Sequence, residues 1–238
     1  LGIAKAALSA GAKIYENSAA TSYKVFDDHV RVTTKNGSVK ADRIVLACNG
    51  YLGNLEKSLA SKILPMNNYI VATKPLDDET VQKINPKDIA FADSRFVINY
   101  FRMSADKRLL FGGGENYSQE LSKNIVPIVT RPLEKIYPFL KGIKIDYAWG
   151  GKLAITMNRL PFFTTLNNER VISAQGYSGQ GVALASYSGK IVSEKILGSG
   201  KTFDLMAKIP RQSFPGGRFL RNPSMKLGML YYSLLDRI

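Results

Sequence analysis

The stretch that most constrains this chain is Gly176-Tyr177-Ser178-Gly179-Gln180-Gly181-Val182-Ala183-Leu184-Ala185, with three glycines inside six residues. An apolar segment of β type, Arg170-Val171-Ile172-Ser173-Ala174, runs into it. A helix candidate of mostly small residues, 182–197, leaves it. Glycine admits φ > 0 and has no Cβ to hold a neighbour away. A helix N-terminus presents free N–H groups and a partial positive charge. Strand, glycine turn and helix in that order bring a backbone close to a bound group. The order here is GxxGxG, not the GxGxxG of a dinucleotide-binding loop. A plain helix N-terminus packed tightly on a sheet fits the same residues.

With 238 residues, of which 45% are apolar, the chain can bury a sizeable core in one large unit or two small ones. Its formal net charge of +14 raises the question of an acidic partner. The basic residues are scattered, however, and only the tail concentrates them, at Lys208, Arg211, Arg218, Arg221, Lys226 and Arg237. A nucleic-acid partner is not expected. With one cysteine, Cys48, and one histidine, His29, no Cys/His metal cluster can form, and neither an internal disulfide nor a Cys–His or Ser-His-Asp arrangement is credible. The expected compartment is the reducing cytoplasm. No apolar run reaches the roughly 18 residues of a spanning helix. His29 follows Asp27-Asp28 at the start of a strand pattern and is expected to be exposed.

Residues 1–10 read as a helix closed by Gly11. That helix has no cap before it, so the chain is expected to begin inside a larger protein. A short strand is expected at 13–17, then an antiparallel meander at 21–26, 29–34 and 38–40, with Asn36-Gly37 as its turn. Residues 43–48 form a nearly continuous apolar run, expected to be a buried, parallel-type strand, ending in the tight turn Asn49-Gly50-Tyr51. From Ile63 the texture changes to alternating patterns and prolines. Strands are expected at 68–73 and 96–102, with 108–111 as a hairpin partner ended by Gly112-Gly113-Gly114. A helix interrupted by Pro127 and Pro132 is expected at 124–139, and a strand at 143–149. A last helix is expected at 225–235.

These pieces, in this order, resemble the flavin-dependent D-amino-acid/glycine oxidase superfamily, and within it the gamma-glutamylputrescine oxidase-like branch. The residues that carry the resemblance are Tyr15-Glu16-Asn17-Ser18-Ala19-Ala20, the strand Ile44-Val45-Leu46-Ala47-Cys48 with Asn49-Gly50-Tyr51, and Tyr100-Phe101-Arg102. Trp149-Gly150-Gly151, Asn158-Arg159-Leu160-Pro161 and Gly176-Tyr177-Ser178-Gly179-Gln180-Gly181 complete the set, with Phe214-Pro215-Gly216-Gly217-Arg218 in the tail. The resemblance implies an α/β (α+β) chain: a partial FAD-binding dinucleotide fold, 1–62 and 148–206, interleaved with an antiparallel-sheet substrate domain, 63–147, and followed by a tail, 207–238. It implies non-covalent FAD, a small-molecule amine as substrate and oxygen as acceptor. Cofactor contacts would fall to Ala20, Cys48, Asn49, Gly50, Gly151, Gly176, Ser178, Gly179, Gln180, Gly181 and Val182.

Three departures from the family accompany the resemblance. Its N-terminal strand–GxGxxG–helix is not in these residues. Sarcosine-oxidase-like relatives attach FAD through a cysteine near the position of Gly151, where no cysteine stands. Relatives that oxidise amino acids carry a lysine at the position of Ala183, so its absence favours an amine. Candidate substrate contacts are Tyr69, Tyr100, Arg102, Trp149 and Arg159; no catalytic residue and no metal ligand is named. Alternatives are a quinone-linked dehydrogenase of the same fold, with weak membrane-surface contact through the tail helix, and a non-catalytic truncated module.

Overall fold

The computed structural model describes residues 2–95, 98–116 and 120–217, with Leu220, Pro223 and Leu227 of the tail. Apart from Leu227, the helix expected at 225–235 lies outside the described residues, as do Phe96 and Val97. Helix α1 (Gly2–Ser9) has no buried residue. The meander follows as β1 (Ala20–Val25), β2 (Val30–Thr34) and β3 (Ser38–Ala41), paired antiparallel in chain order. The strand expected at 13–17 is absent. Ile14 and Tyr15 are exposed, and Asn17 turns the chain at φ 53°, so neither a partner strand nor a core holds that segment extended.

The second sheet draws on distant parts of the chain. β4 (Ile44–Leu46) runs parallel to β11 (Val171–Gln175), which pairs antiparallel with β10 (Phe162–Leu166). A buried, parallel-type strand was expected at 43–48. Among the described residues it pairs on one edge only, and Val45 is 41% exposed. Its inner face still packs: Leu46 joins Leu52, Leu59, Ile63, Phe162 and Val171 in one apolar cluster. Behind β11, Ile172 and Ala174 pack with Phe163 of β10, with Ile191 and Val192 of α5 (Gly181–Ile196) and with Phe203 of α6 (Lys201–Ala207).

The third sheet has five strands in the order β6-β7-β8-β5-β9. They are β5 (Leu64–Thr73), β6 (Phe91–Ala92), β7 (Tyr100–Met103), β8 (Leu109–Asn116) and β9 (Ile145–Ile155). β9 crosses the boundary expected at 147/148. Helix α4 (Val126–Ile136), with Pro132 in its interior, seals one face: Val129 and Leu133 meet Tyr69, Val71, Leu109 and Phe111. No α-helix seals the opposite face among the described residues. Strand period two and the register put Asn68, Ile70 and Ala72 of β5 on that face, with Tyr147 and Trp149 of β9 and Tyr100 and Arg102 of β7.

The glycines at 112–114 do not end their strand; β8 runs on to Asn116. They make room instead. A Cβ at Gly112 would lie 2.2 Å from the Tyr100 ring, and one at Gly113 would lie 2.8 Å from Asn99 Oδ1. His29 is not exposed either. Its side chain is 12% exposed, its ring stacks on Phe26 at 4.4 Å, and Nδ1 sits 2.5 Å from Asp28.

At one end of the five-stranded sheet Arg108 ties three elements together. It donates to Asp106 (2.6 Å), to Asp146 on β9 (2.6 Å) and to the Thr73 carbonyl that ends β5 (2.9 Å). The hydrogen bond from Arg108 holds the Asp146 carboxyl below the usual carboxylate range. A carboxyl depressed in the folded state adds stability above the unfolded carboxylate pKa of about 3.9, and that stability is lost as pH falls through the folded value. Arg108→Gln is therefore expected to flatten the acid limb of the urea-midpoint profile, below about pH 4; an unchanged limb would show that this clamp does not couple to folding.

Candidate active site

Three segments converge beside the open sheet face. The first is the turn after β4, Asn49–Tyr51, a short 3-10 helix. The second is the glycine turn at 176–181. The third is the latter half of β9. Their contact is backbone on backbone. A Cβ at Gly50 would lie 2.5 Å from the Lys152 carbonyl oxygen and 2.9 Å from that of Leu153. The Ser178 N–H donates to the Ala154 carbonyl at 3.0 Å. The Gly176 N–H donates to Asn49 Oδ1 at 3.0 Å. The Tyr51 hydroxyl accepts from the Lys152 N–H at 3.0 Å. Thr156, just past β9, gives its N–H to Ser178 Oγ at 3.2 Å.

The glycine turn is strained where a cradle needs it to be. Gly176 (φ 80°), Ser178 (φ 49°) and Gly179 (φ 98°) all lie in the left-handed region, which is open to glycine and costly for a side chain. At Gly176 the reason is packing, since a Cβ would meet Thr156 at 2.5 Å. At Gly179 a Cβ would meet nothing within 4 Å. That residue faces open space, so its glycine is required by backbone conformation alone. Gln180 starts α5 without a side-chain cap, so its side chain satisfies none of the first N–H groups of the helix. Val182, the second residue of α5, is 97% exposed.

This is the donor set for a flat, anionic-edged group: uncapped helical N–H groups, a glycine with free space before it and an uncovered aliphatic side chain. The residues present therefore fit a flavin. The cofactor residues expected from the sequence separate accordingly. Cys48, Asn49, Gly50, Gly151, Gly176, Ser178, Gly179, Gln180, Gly181 and Val182 lie on the three converging segments. Ala20 lies elsewhere, at the start of β1 in the separate three-stranded meander. Cys48 is half-buried, and burial pushes its thiol up, which makes it a poor nucleophile.

The substrate candidates divide by sheet face. Tyr100, Arg102 and Trp149 share the open face. Tyr69 lies on the other: it is 0% exposed, packs in the core under α4 and accepts a hydrogen bond from the Ser122 N–H at 2.9 Å. A side chain so placed cannot line the open face, and period two along β5 is the reason. Arg159 is exposed at φ 62° in the turn after β9, its N–H donating to the Thr156 carbonyl at 3.2 Å. Arg102 donates from Nε to the carbonyl of Met103 at 3.2 Å.

Two residues of the open face were missed in the sequence. Asn68 accepts a hydrogen bond from the Tyr100 hydroxyl at 2.5 Å, across the space that Gly112 leaves. Tyr147 stands exposed with the Arg108 guanidinium 5.2 Å from its ring centre. Both were legible from period two, once Tyr100 and Trp149 had been assigned to a face.

A profile of the FAD dependent oxidoreductase (DAO) family matches residues 1–195. The chain belongs to that family. It is 40% identical over 237 residues to a probable oxidoreductase OrdL of Rhizobium meliloti, and 37% identical over 229 residues to the gamma-glutamylputrescine oxidoreductase of Escherichia coli. These alignments cover 100% and 96% of the chain, which spans about half the length of each relative, 55% and 53%. Among solved structures, glycine oxidase from Geobacillus kaustophilus superposes with a TM-score of 0.70 at 20% identity, over 89% of this chain and 57% of that one. L-proline dehydrogenase from P. horikoshii superposes with a TM-score of 0.66 at 23% identity, over 84% and 55%. The fold is thus the mixed α/β fold of DAO-type flavoenzymes. Among the described residues, no helix is long and apolar enough to cross a membrane.

Gln175 ends β11 and opens the glycine turn. It is 0% exposed, and neither atom of its side-chain amide has a hydrogen-bond partner among the described residues. A buried polar group left unpaired costs about 1–3 kcal/mol. Gln175→Met, nearly isosteric, is therefore expected to raise stability by up to that amount in urea denaturation; a loss of similar size would reveal a partner for the amide.

Proposed function

We propose that this protein oxidises the C–N bond of a small amine, with FAD held non-covalently and oxygen as electron acceptor. The observation that carries this reading is the convergence of an uncapped helix N-terminus and an open-faced glycine turn on the edge of an exposed polar and aromatic sheet face. When bound, FAD supplies the two-electron acceptor that C–N oxidation requires. The residues of this chain bind, orient and tune. Gly179 and the first N–H groups of α5 donate to an anionic ring edge, a role for which a helix N-terminus is suited. Cys48 and Asn49 just past the end of β4 and Gly151 on β9 lie along one side, while Gly50 serves to pack that turn on the β9 backbone. The half-buried Cys48 with its raised thiol, and a glycine where some relatives carry the attaching cysteine, favour non-covalent binding.

Substrate would lie against the open face, with Tyr100 and Trp149 as aromatic walls. The Tyr100 hydroxyl is committed to Asn68, which fixes its ring across Gly112 and presents its face rather than its proton. Arg102 is the group for a remote carboxylate on the substrate. A gamma-glutamylated diamine, the substrate in the name of one relative, carries such a carboxylate at the end away from its amine. Ala183 offers no cation to hold a carboxylate beside the reacting carbon, which favours an amine over an amino acid. Arg159, in an exposed turn, is the weaker candidate for this work.

The purified protein is expected to carry an oxidised-flavin absorption spectrum and to release peroxide with gamma-glutamylated diamines. Rapid dye reduction without peroxide would favour the dehydrogenase reading, and a folded, colourless protein that rejects added FAD would exclude both. Ala183→Lys is expected to move the kcat/KM ratio of amino acid to amine upward by about tenfold or more, on the order of 1.4 kcal/mol of transition-state preference. A ratio unchanged within about twofold would show that this turn does not face the substrate.

A further inference from the structure

A second concave site lies apart from the glycine turn. A cleft of about 610 Å³ opens between α2 (Lys57–Ala60), the second half of β10 and the segment that follows α6. Lys62, Lys208 and Arg211 line it, together with Thr165, Leu166 and Ile209. No carboxylate lines it. Glu56, two residues before Ser58, directs its carboxylate at the Tyr23 hydroxyl and at Ser58, whose hydroxyl it accepts at 2.6 Å. Among the described residues none of the three cations forms an ion pair; each ion pair present there uses other basic residues.

Two of these cations are held at the wall rather than left to wander. Arg211 donates to the carbonyl of Phe163 at 3.1 Å. Lys62 donates to Ser213 Oγ at 3.4 Å. An arginine anchored through one nitrogen keeps its remaining donors in a fixed plane, and less entropy is lost when a carboxylate arrives. Like charges gathered in a concave wall reinforce one another's field and raise the local concentration of anions. Leu59, Leu166, Ile209 and Pro210 add apolar surface to the same wall, which a bare inorganic ion would leave unused.

We propose that this cleft binds a small organic polyanion of the di- or tricarboxylate class, its carboxylates on Lys62, Lys208 and Arg211 and its carbon frame on the apolar wall. A smaller adjoining cavity shares Lys62, Pro210 and Arg211 and is lined also by Thr156, the residue hydrogen-bonded to Ser178. The cleft thus backs onto the glycine turn without being part of it. The proposal is independent of the amine-oxidation reading, since neither Lys62, Lys208 nor Arg211 belongs to the proposed flavin or substrate contacts.

The test is calorimetric titration of the protein with citrate, glutarate and inorganic phosphate at matched ionic strength. The expected result is saturable citrate binding, weakened by about tenfold or more in the combined variant Lys62→Gln/Arg211→Gln, and unchanged in Lys87→Gln, an exposed control. Phosphate matching citrate would overturn the proposal, as would a control variant that weakens binding equally, or no citrate binding at all. Hydrogen exchange on the unmodified protein gives a readout that needs no variant. Citrate is expected to protect the amides of Thr165, Leu166, Ile209 and Arg211, and protection spread evenly over other basic surfaces would overturn the assignment.

Discussion

The backbone contact between Gly50 and β9 is the constraint on which the candidate site depends. A Cβ at residue 50 would fall 2.5 Å from the Lys152 carbonyl oxygen, well inside van der Waals separation, and a backbone atom cannot swing aside as a side-chain tip can. The contact holds the end of β4 against the strand at the edge of the five-stranded sheet. The Asn49 side chain then reaches Gly176, and Ser178 reaches Ala154. One sheet thus orients the glycine turn and the other supplies the face before it, and the two are locked at their shared edge by hydrogen bonds, close packing and an apolar cluster in which Ala154 of β9 meets Leu46, Phe162 and Val171.

The division of the five-stranded sheet into two unlike faces follows from the same economy of space. α4 covers one face with Val129 and Leu133 and takes Tyr69 into the core. The other face keeps its polar and aromatic side chains uncovered. Tyr100 can lie flat across β8 because Gly112 has no side chain, and in lying flat it finds Asn68. Glycine in a strand interior weakens the strand; here that weakness is offset by an aromatic ring and a hydrogen bond across the gap.

Much of this was legible in the residues. The meander at β1–β3 followed from alternation and an Asn-Gly turn, the parallel strand from its continuous apolar run, and the helix after the glycine turn from its flanking pattern. Tyr100 and Arg102 were put on one face by period two; the register of β9 adds Trp149 to that face, and the same period, applied to Asn68-Tyr69-Ile70, separates Tyr69 from them. Other readings failed for reasons local sequence does not carry. Ile14 and Tyr15 look like strand residues, but nothing pairs with them. His29 follows two aspartates, yet its ring is covered by Phe26 across the turn between β1 and β2. The glycines at 112–114 look like a strand terminus, and only the position of Tyr100 shows why the strand goes on through them.

Local chemistry, then, determined which segments could be strands, turns or helices, and which backbone positions must be glycine, because φ/ψ preferences and alternation act over a few residues. The sequence also carried the family, since the order and spacing of many short motifs survive in a linear reading. The tertiary structure alone decided what those segments face. Long-range pairing set which side of β5 met α4, which groups of Gly50 and Lys152 came into contact, and that Lys62 and Arg211, far apart in the chain, share one cleft. Such outcomes depend on contacts between residues far apart in the chain, and no periodicity within a segment encodes them.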